Sequence, residues 1–107
     1  MSDDVLIKLA KVIASRRLEP GSTSYTRQLL DAGVEKCAKK FGEEAIELII
    51  ASGTADDKAL KAEAADVLYH LLVLLEARQI LLSDVLTVLE GRMGTSGIAE
   101  KASRGGS

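Results

Sequence analysis

The chain has 107 residues, enough for one domain with a single modest core, and its net charge of −2 supplies no global basic field to draw nucleic acid or an acidic membrane. Aromatic residues make up only 3% and proline occurs once, so Leu, Ala, Ile and Val must do the packing. That balance favours an all-α chain of four to five helices whose thin core is completed by dimerisation. The one cysteine, Cys37, excludes an internal disulfide and suits a reducing cytoplasm.

The acidic start, Asp3 and Asp4, does not read as a signal peptide; either residue can cap a first helix running to about residue 17, with Val5, Leu9, Val12 and Ile13 on one face. Leu18-Glu19-Pro20-Gly21-Ser22 breaks it. Ser24-Tyr25-Thr26 starts a short helix that ends near Gly33. A long helix follows over residues 34 to 51, with Gly53 as its C-terminal cap. Its apolar face is expected to carry Val34, Cys37, Ala38, Phe41, Ala45, Leu48 and Ile49, and the opposite arc Lys36, Lys40, Glu43, Glu44 and Glu47.

Asp56 or Asp57 begins the next long helix, which persists to about residue 78. Its stretch from 67 to 75 is apolar nearly all round, which signals burial on several sides, yet it is too short to span a bilayer and contains His70. Ser83 is read as the cap of a last helix that stops at Gly91. The domain is therefore placed at residues 1–91, with a Gly/Ser-rich tail at 92–107. Together these features describe a soluble, cytoplasmic protein.

The two long helices carry the chemistry. With about 100° per residue, Glu43, Glu44 and Glu47 fall within one arc of about 100°, and Glu63 and Asp66 lie about 60° apart on theirs. Taken alone, the first cluster is compatible with a solvated face. Its lysines lie N-terminal to its glutamates, however, an order that opposes the helix dipole and makes weaker i,i+4 pairs. Glu63, Asp66 and His70 share one arc at the start of a buried helix, where unpartnered charge costs several kcal/mol. A divalent cation between the helices is the economical partner, and an all-oxygen donor set suits Mg²⁺ or Mn²⁺ rather than zinc. A di-iron site is disfavoured, because Asp66 and His70 are four apart and no second histidine exists.

The pattern Glu43-Glu44-Ala45-Ile46-Glu47 followed by Glu63-Ala64-Ala65-Asp66 is similar to that of the all-α MazG-like nucleotide pyrophosphohydrolase superfamily. Ser24-Tyr25-Thr26, Lys39-Lys40-Phe41-Gly42-Glu43-Glu44, Asp66-Val67-Leu68-Tyr69-His70-Leu71-Leu72 and Arg92-Met93-Gly94-Thr95-Ser96-Gly97 narrow the resemblance to the phosphoribosyl-ATP pyrophosphatase family. It covers nearly the whole chain, to Arg104. Phe41, where the family often has an aliphatic residue, is a packing change, and Gly105-Gly106-Ser107 adds nothing interpretable.

The resemblance implies hydrolysis of 1-(5-phosphoribosyl)-ATP to 1-(5-phosphoribosyl)-AMP and pyrophosphate in histidine biosynthesis. It implies Mg²⁺ on Glu44, Glu47, Glu63 and Asp66, and a homodimer with sites near its interface. The cyclohydrolase fused to this domain in many organisms needs a zinc set that one Cys and one His cannot supply, so the chain reads as the stand-alone form. Either Glu43 or Glu47 is placed as general base. Lys36, Lys39, Lys40, Tyr25, Arg17, Arg92, Lys101 and Arg104 are the candidates for substrate contact, the last two on a tail that could close over it. Two other readings share many of these features: a house-cleaning NTP pyrophosphohydrolase, and a helical dimerisation domain without catalysis.

Overall fold

A computed structural model describes residues 2–54 and 56–94. Those residues form five α-helices: α1 (Ser2–Ser15), α2 (Tyr25–Ala32), α3 (Val34–Thr54), α4 (Asp57–Ala77) and α5 (Leu82–Met93), with a 3₁₀ turn, Arg16–Leu18, after α1. No strand occurs among the described residues, so the all-α class holds.

Two helices start where capping chemistry predicts. The Ser24 hydroxyl accepts from the Arg27 amide at 3.1 Å ahead of α2, and the Asp56 carboxylate accepts from the Ala59 amide at 2.8 Å ahead of α4. Gly33, at φ 99°, turns α2 sharply into α3, a conformation other residues adopt only under strain.

Other boundaries differ from the sequence reading. α1 stops at Ser15, whose hydroxyl donates to the Val12 carbonyl at 2.6 Å, and residues 16–18 tighten into the 3₁₀ turn. Gly53 caps nothing: α3 continues to Thr54, and the hydroxyls of Ser52 and Thr54 serve the carbonyls of Ile49 and Ile50 in its last turn. α5 begins at Leu82, after an N-cap at Leu81 that makes no side-chain capping bond, so Ser83 lies inside the helix. That helix passes Gly91 and ends at Met93, which brings Arg92 into its last turn rather than a tail. At the end of α4, Gln79 adopts φ 56°. The Ile80 amide donates to Leu75 and the Gln79 amide to Glu76, the paired bonds of a Schellman motif with glutamine in the place glycine usually takes.

α3 and α4 form an antiparallel hairpin, the most extensive pairing in the molecule, with α1 and α2 laid across it. Every helix except α5 contributes to one small core: Ile13 from α1, Leu29 from α2, Cys37 from α3, Leu72 and Val73 from α4. Leu6, Leu9, Leu30, Leu75 and Leu82 pack around it, half-buried. The Cys37 thiol donates to the Leu29 carbonyl at 3.2 Å, and burial raises its pKa.

The apolar face expected on α3 is buried only in part. Cys37 is enclosed, but Val34, Ala38 and Ile49 are exposed, and Ile46, Ile49 and Ile50 show 59%, 69% and 62% of their surface to solvent. Helical periodicity marks a face as apolar without saying whether this chain covers it.

The ends of the 3₁₀ turn are tied down by arginines. Arg17 donates through Nε to the Glu76 carboxylate at 2.5 Å and through Nη2 to the Glu76 carbonyl at 2.6 Å. Arg27 reaches the carbonyls of Arg17 and Glu19, each at 2.7 Å, while its Nε pairs with Asp31. Thr26 and Tyr69 share a hydroxyl–hydroxyl bond of 2.5 Å that pins α2 to α4. These links position the first turn of α2 over the middle of the hairpin.

Candidate active site

The hairpin brings the two acidic motifs together because each lies about ten residues from the short connection that joins α3 and α4. Carboxylate oxygens of Glu44, Glu63 and Asp66 all lie within 4.8 Å of one another. Glu44 and Glu63 are half-buried and Asp66 is exposed, so the cluster is open to solvent. Three carboxylates that close repel strongly.

The strain registers on Glu44, whose pKa is pushed up to about 7. The largest cause is a hydrogen bond with Glu47; desolvation and the charges of Glu47 and Asp66 add to it, and Lys40 opposes them. Without a cation the Glu44–Glu47 pair thus relieves repulsion by holding a proton. Glu47 is outside the close trio and joins it through Glu44. An all-carboxylate donor set in which crowding raises one member's pKa to about 7 has the chemistry of a hard divalent-cation site, and the residues fit Mg²⁺.

One turn upstream on α3, Lys40 Nζ lies 3.2 Å from the Glu43 carboxylate. That bond, then the phenol of Tyr25, raises the lysine's pKa, so it stays charged beside the acids. Glu43 therefore faces Lys40, on the flank of the acid cluster. Lys36, two turns upstream of Glu44, and Lys40 both line a cavity of about 250 Å³ between α2 and α3, together with Tyr25, Gln28, Leu29 and Ala32. Tyr25, half exposed at 51%, is placed there by the Ser24 cap. Lys39 is exposed on α3.

His70 stands between the acids and this cavity. It is 6% exposed, its ring meets Tyr25 and Tyr69 edge-on at centroid distances of 6.3 and 4.9 Å, and among the described residues its Nδ1 has no hydrogen-bond partner. Burial first, then Lys40, lowers its pKa against the pull of Asp66 and Glu43, which keeps the ring neutral. The spacing of His70 from Asp66 indicated its side of α4; its approach to Tyr25 could not be read from sequence, because the two are 45 positions apart.

Arg17 stands elsewhere. Its guanidinium is committed to Glu76, about 15 Å along α4 from Asp66, so its work here is to hold the 3₁₀ turn. Arg92 lies in the last turn of α5. Lys101 and Arg104 fall outside the described residues.

A family model described as phosphoribosyl-ATP pyrophosphohydrolase matches residues 6–93, a span that includes all four acids and both cavity lysines. The chain belongs to this family. Among its relatives, a phosphoribosyl-ATP pyrophosphatase of Cereibacter sphaeroides (strain ATCC 17029 / ATH 2.4.9) is 55% identical over 101 residues, covering 94% of this chain and 98% of the relative. One from Dinoroseobacter shibae is 55% identical over 100 residues with the same coverage, and one from Ruegeria sp. (strain TM1040) 57% identical over 101 residues, 94% of this chain and 95% of its own. The similarity therefore covers 94% of the chain rather than the acidic motifs alone. It also separates this chain from the two other readings of its acids, the generic NTP hydrolase and the non-catalytic dimerisation domain.

Proposed function

We propose that the chain hydrolyses 1-(5-phosphoribosyl)-ATP to 1-(5-phosphoribosyl)-AMP and pyrophosphate, the histidine-biosynthetic step its family is named for. The observation that carries the reading is the convergence of Glu44, Glu63 and Asp66 to within 4.8 Å inside a chain that matches that family over residues 6–93. Glu44, Glu47, Glu63 and Asp66 would hold Mg²⁺, which supplies positive charge against the phosphate chain and the leaving pyrophosphate.

The protein's own residues do the rest. Lys40, kept charged by Glu43, meets a phosphate oxygen one turn from the acids, with Lys36 beyond it. Tyr25 forms the wall opposite, at the mouth of the α2–α3 cavity. Glu43 and Glu47, both exposed on α3, are the two candidates to take a proton from the attacking water, Glu43 from beside Lys40 and Glu47 from beside Glu44. Lys39, Arg92, Lys101 and Arg104 are left as outer contacts for the phosphates, the last two from the tail.

The active form is a homodimer. Ile46, Ile49 and Ile50 make an apolar stripe too exposed for a finished surface, and helical geometry sets Ile50 within about 60° of both Glu43 and Glu47. A second copy covering that stripe would bring its own chain to the edge of the site. Among the described residues no helix is long and apolar enough to cross a membrane, in keeping with a cytoplasmic enzyme acting on small molecules.

The deciding experiment incubates purified protein with phosphoribosyl-ATP and with a panel of NTPs and dNTPs, with and without Mg²⁺. Metal-dependent release of pyrophosphate from phosphoribosyl-ATP in preference to the panel is the expected result. Preferred turnover of an NTP would instead make this a house-cleaning hydrolase. Sedimentation of the protein before and after Ile49→Lys tests the dimer, which the charge should dissociate.

A further inference from the structure

Resting on that reaction, we infer that the α2–α3 cavity receives the phosphoribosyl group, with Lys36 on its 5′-phosphate, and thereby distinguishes phosphoribosyl-ATP from ATP. The two nucleotides share adenosine and the triphosphate chain, so discrimination requires a second pocket for the sugar phosphate that only one of them carries. Lys40 joins the cavity to the acid cluster: it lines the cavity wall, lies 3.2 Å from Glu43, and is felt electrostatically by both Glu44 and His70. The phosphoribosyl group is carried on adenine N1, beyond the adenosine from the phosphate chain, and Lys36, eight residues or about 12 Å of helix from Glu44, stands at a matching remove from the acids.

The lining fits a sugar phosphate better than the leaving pyrophosphate. Leu29, Ala32 and the Tyr25 ring supply apolar surface, which suits the carbon faces of a ribose and offers nothing to a naked polyphosphate. The Gln28 amide donates to the Gly21 carbonyl at 2.6 Å, so its side chain is fixed against the loop that precedes α2 rather than free to sweep through solvent. Among the described residues Lys36 has no acidic partner, whereas Lys40 has Glu43. Its charge is uncommitted at the end of the cavity farther from the acids. With a volume of about 250 Å³ the space accepts a pentose phosphate.

Inhibition by products isolates the claim, because each product reports one part of the site. Inhibition constants for phosphoribosyl-AMP, AMP and pyrophosphate would be measured on the full chain with Mg²⁺, for the parent, Lys36→Met and Ala32→Leu. Ala32 is exposed, so the leucine narrows the cavity without removing charge or opening the core. Both variants should weaken phosphoribosyl-AMP by about tenfold or more, Lys36→Met through the loss of one charge-assisted contact and Ala32→Leu by filling the space the sugar would occupy. Neither should weaken AMP or pyrophosphate comparably. If Lys36→Met weakened pyrophosphate instead, or weakened AMP as much as phosphoribosyl-AMP, the lysine would serve the shared phosphate chain and the inference would fall. Unchanged phosphoribosyl-AMP inhibition in both variants would overturn it equally. These outcomes are independent of the reaction assignment, which stands or falls on turnover by the parent.

Discussion

Two cavities among the described residues have nearly equal size and different chemistry. The one between α2 and α3, about 250 Å³, is walled by Lys36, Lys40, Tyr25 and Gln28 and adjoins three carboxylates. The other, about 260 Å³, lies between α1, α4 and α5 and is lined chiefly by Ile7, Ala10, Leu75, Leu82 and Leu86. The second is a gap left where α5, which has no buried residue, rests loosely on its neighbours. By contrast α2, only eight residues long, is fixed by a side-chain cap, the Arg27 bonds and the Thr26–Tyr69 link. Volume alone would rank the apolar gap with the site. What separates them is where polar groups have been brought together and held, since those are the groups whose placement costs stability unless a ligand uses them.

The sharpest test of this contrast exchanges chemistry for packing. Glu63→Gln should lower turnover on the order of a hundredfold or more, comparable to deleting one key stabiliser of developing charge, and should abolish the rise in melting temperature on adding Mg²⁺. Leu86→Ala, on the other cavity, should cost about 1–2 kcal/mol of stability in a denaturant melt and leave kcat/KM within error at a temperature where the variant is folded.

Arg17→Met comes next. It strands Glu76 and loosens the 3₁₀ turn, so a loss of about 1–3 kcal/mol is expected in the same melts, with KM unaltered. A selective rise in KM would restore Arg17 to the substrate.

A smaller effect appears in the pH dependence of the metal-free protein. Glu44 titrates in the folded state near 7, above its unfolded value of 4.5, so the folded chain holds an extra proton between those limits. Stability should accordingly be greatest below the unfolded pKa and decline as pH rises through 7. Saturating Mg²⁺ should flatten that decline by neutralising the carboxylates, and Glu44→Gln should remove it. Melting temperatures from pH 5 to 8, with EDTA or with Mg²⁺, give the comparison; a metal-free stability that climbed over this range would contradict it. Smallest of all, Gln79→Gly should stabilise by up to about 1 kcal/mol, because glycine relieves the left-handed backbone at the end of α4.

How far the sequence revealed this molecule depended on how far apart the interacting residues lie. Glu44 with Glu63 and Asp66 was legible, because helical period and a short hairpin connection fix their faces and heights together. So were the Ser24 and Asp56 caps, which act over three residues. Arg17 was not, since its partner is 59 positions away and nothing local distinguishes a structural arginine from a phosphate-binding one. Gly53 and Ser83 look like helix boundaries by residue type, yet α3 and α5 run through them, because packing and nearby hydroxyls outweigh a weak local preference. The exposed isoleucines of α3 are a third kind of case: their apolar character was plain, but helical period does not say whether this chain buries them, and it leaves them exposed.

Cys37 turns this architecture into its own gauge. Its sulfur is sealed between α2 and α3 and bonded to Leu29, one layer beneath the proposed sugar-phosphate pocket. A thiol reagent can reach it only when those two helices part. As the chain's sole sulfhydryl, it would time that breathing without any introduced label, and a ligand bridging the helices should slow the clock.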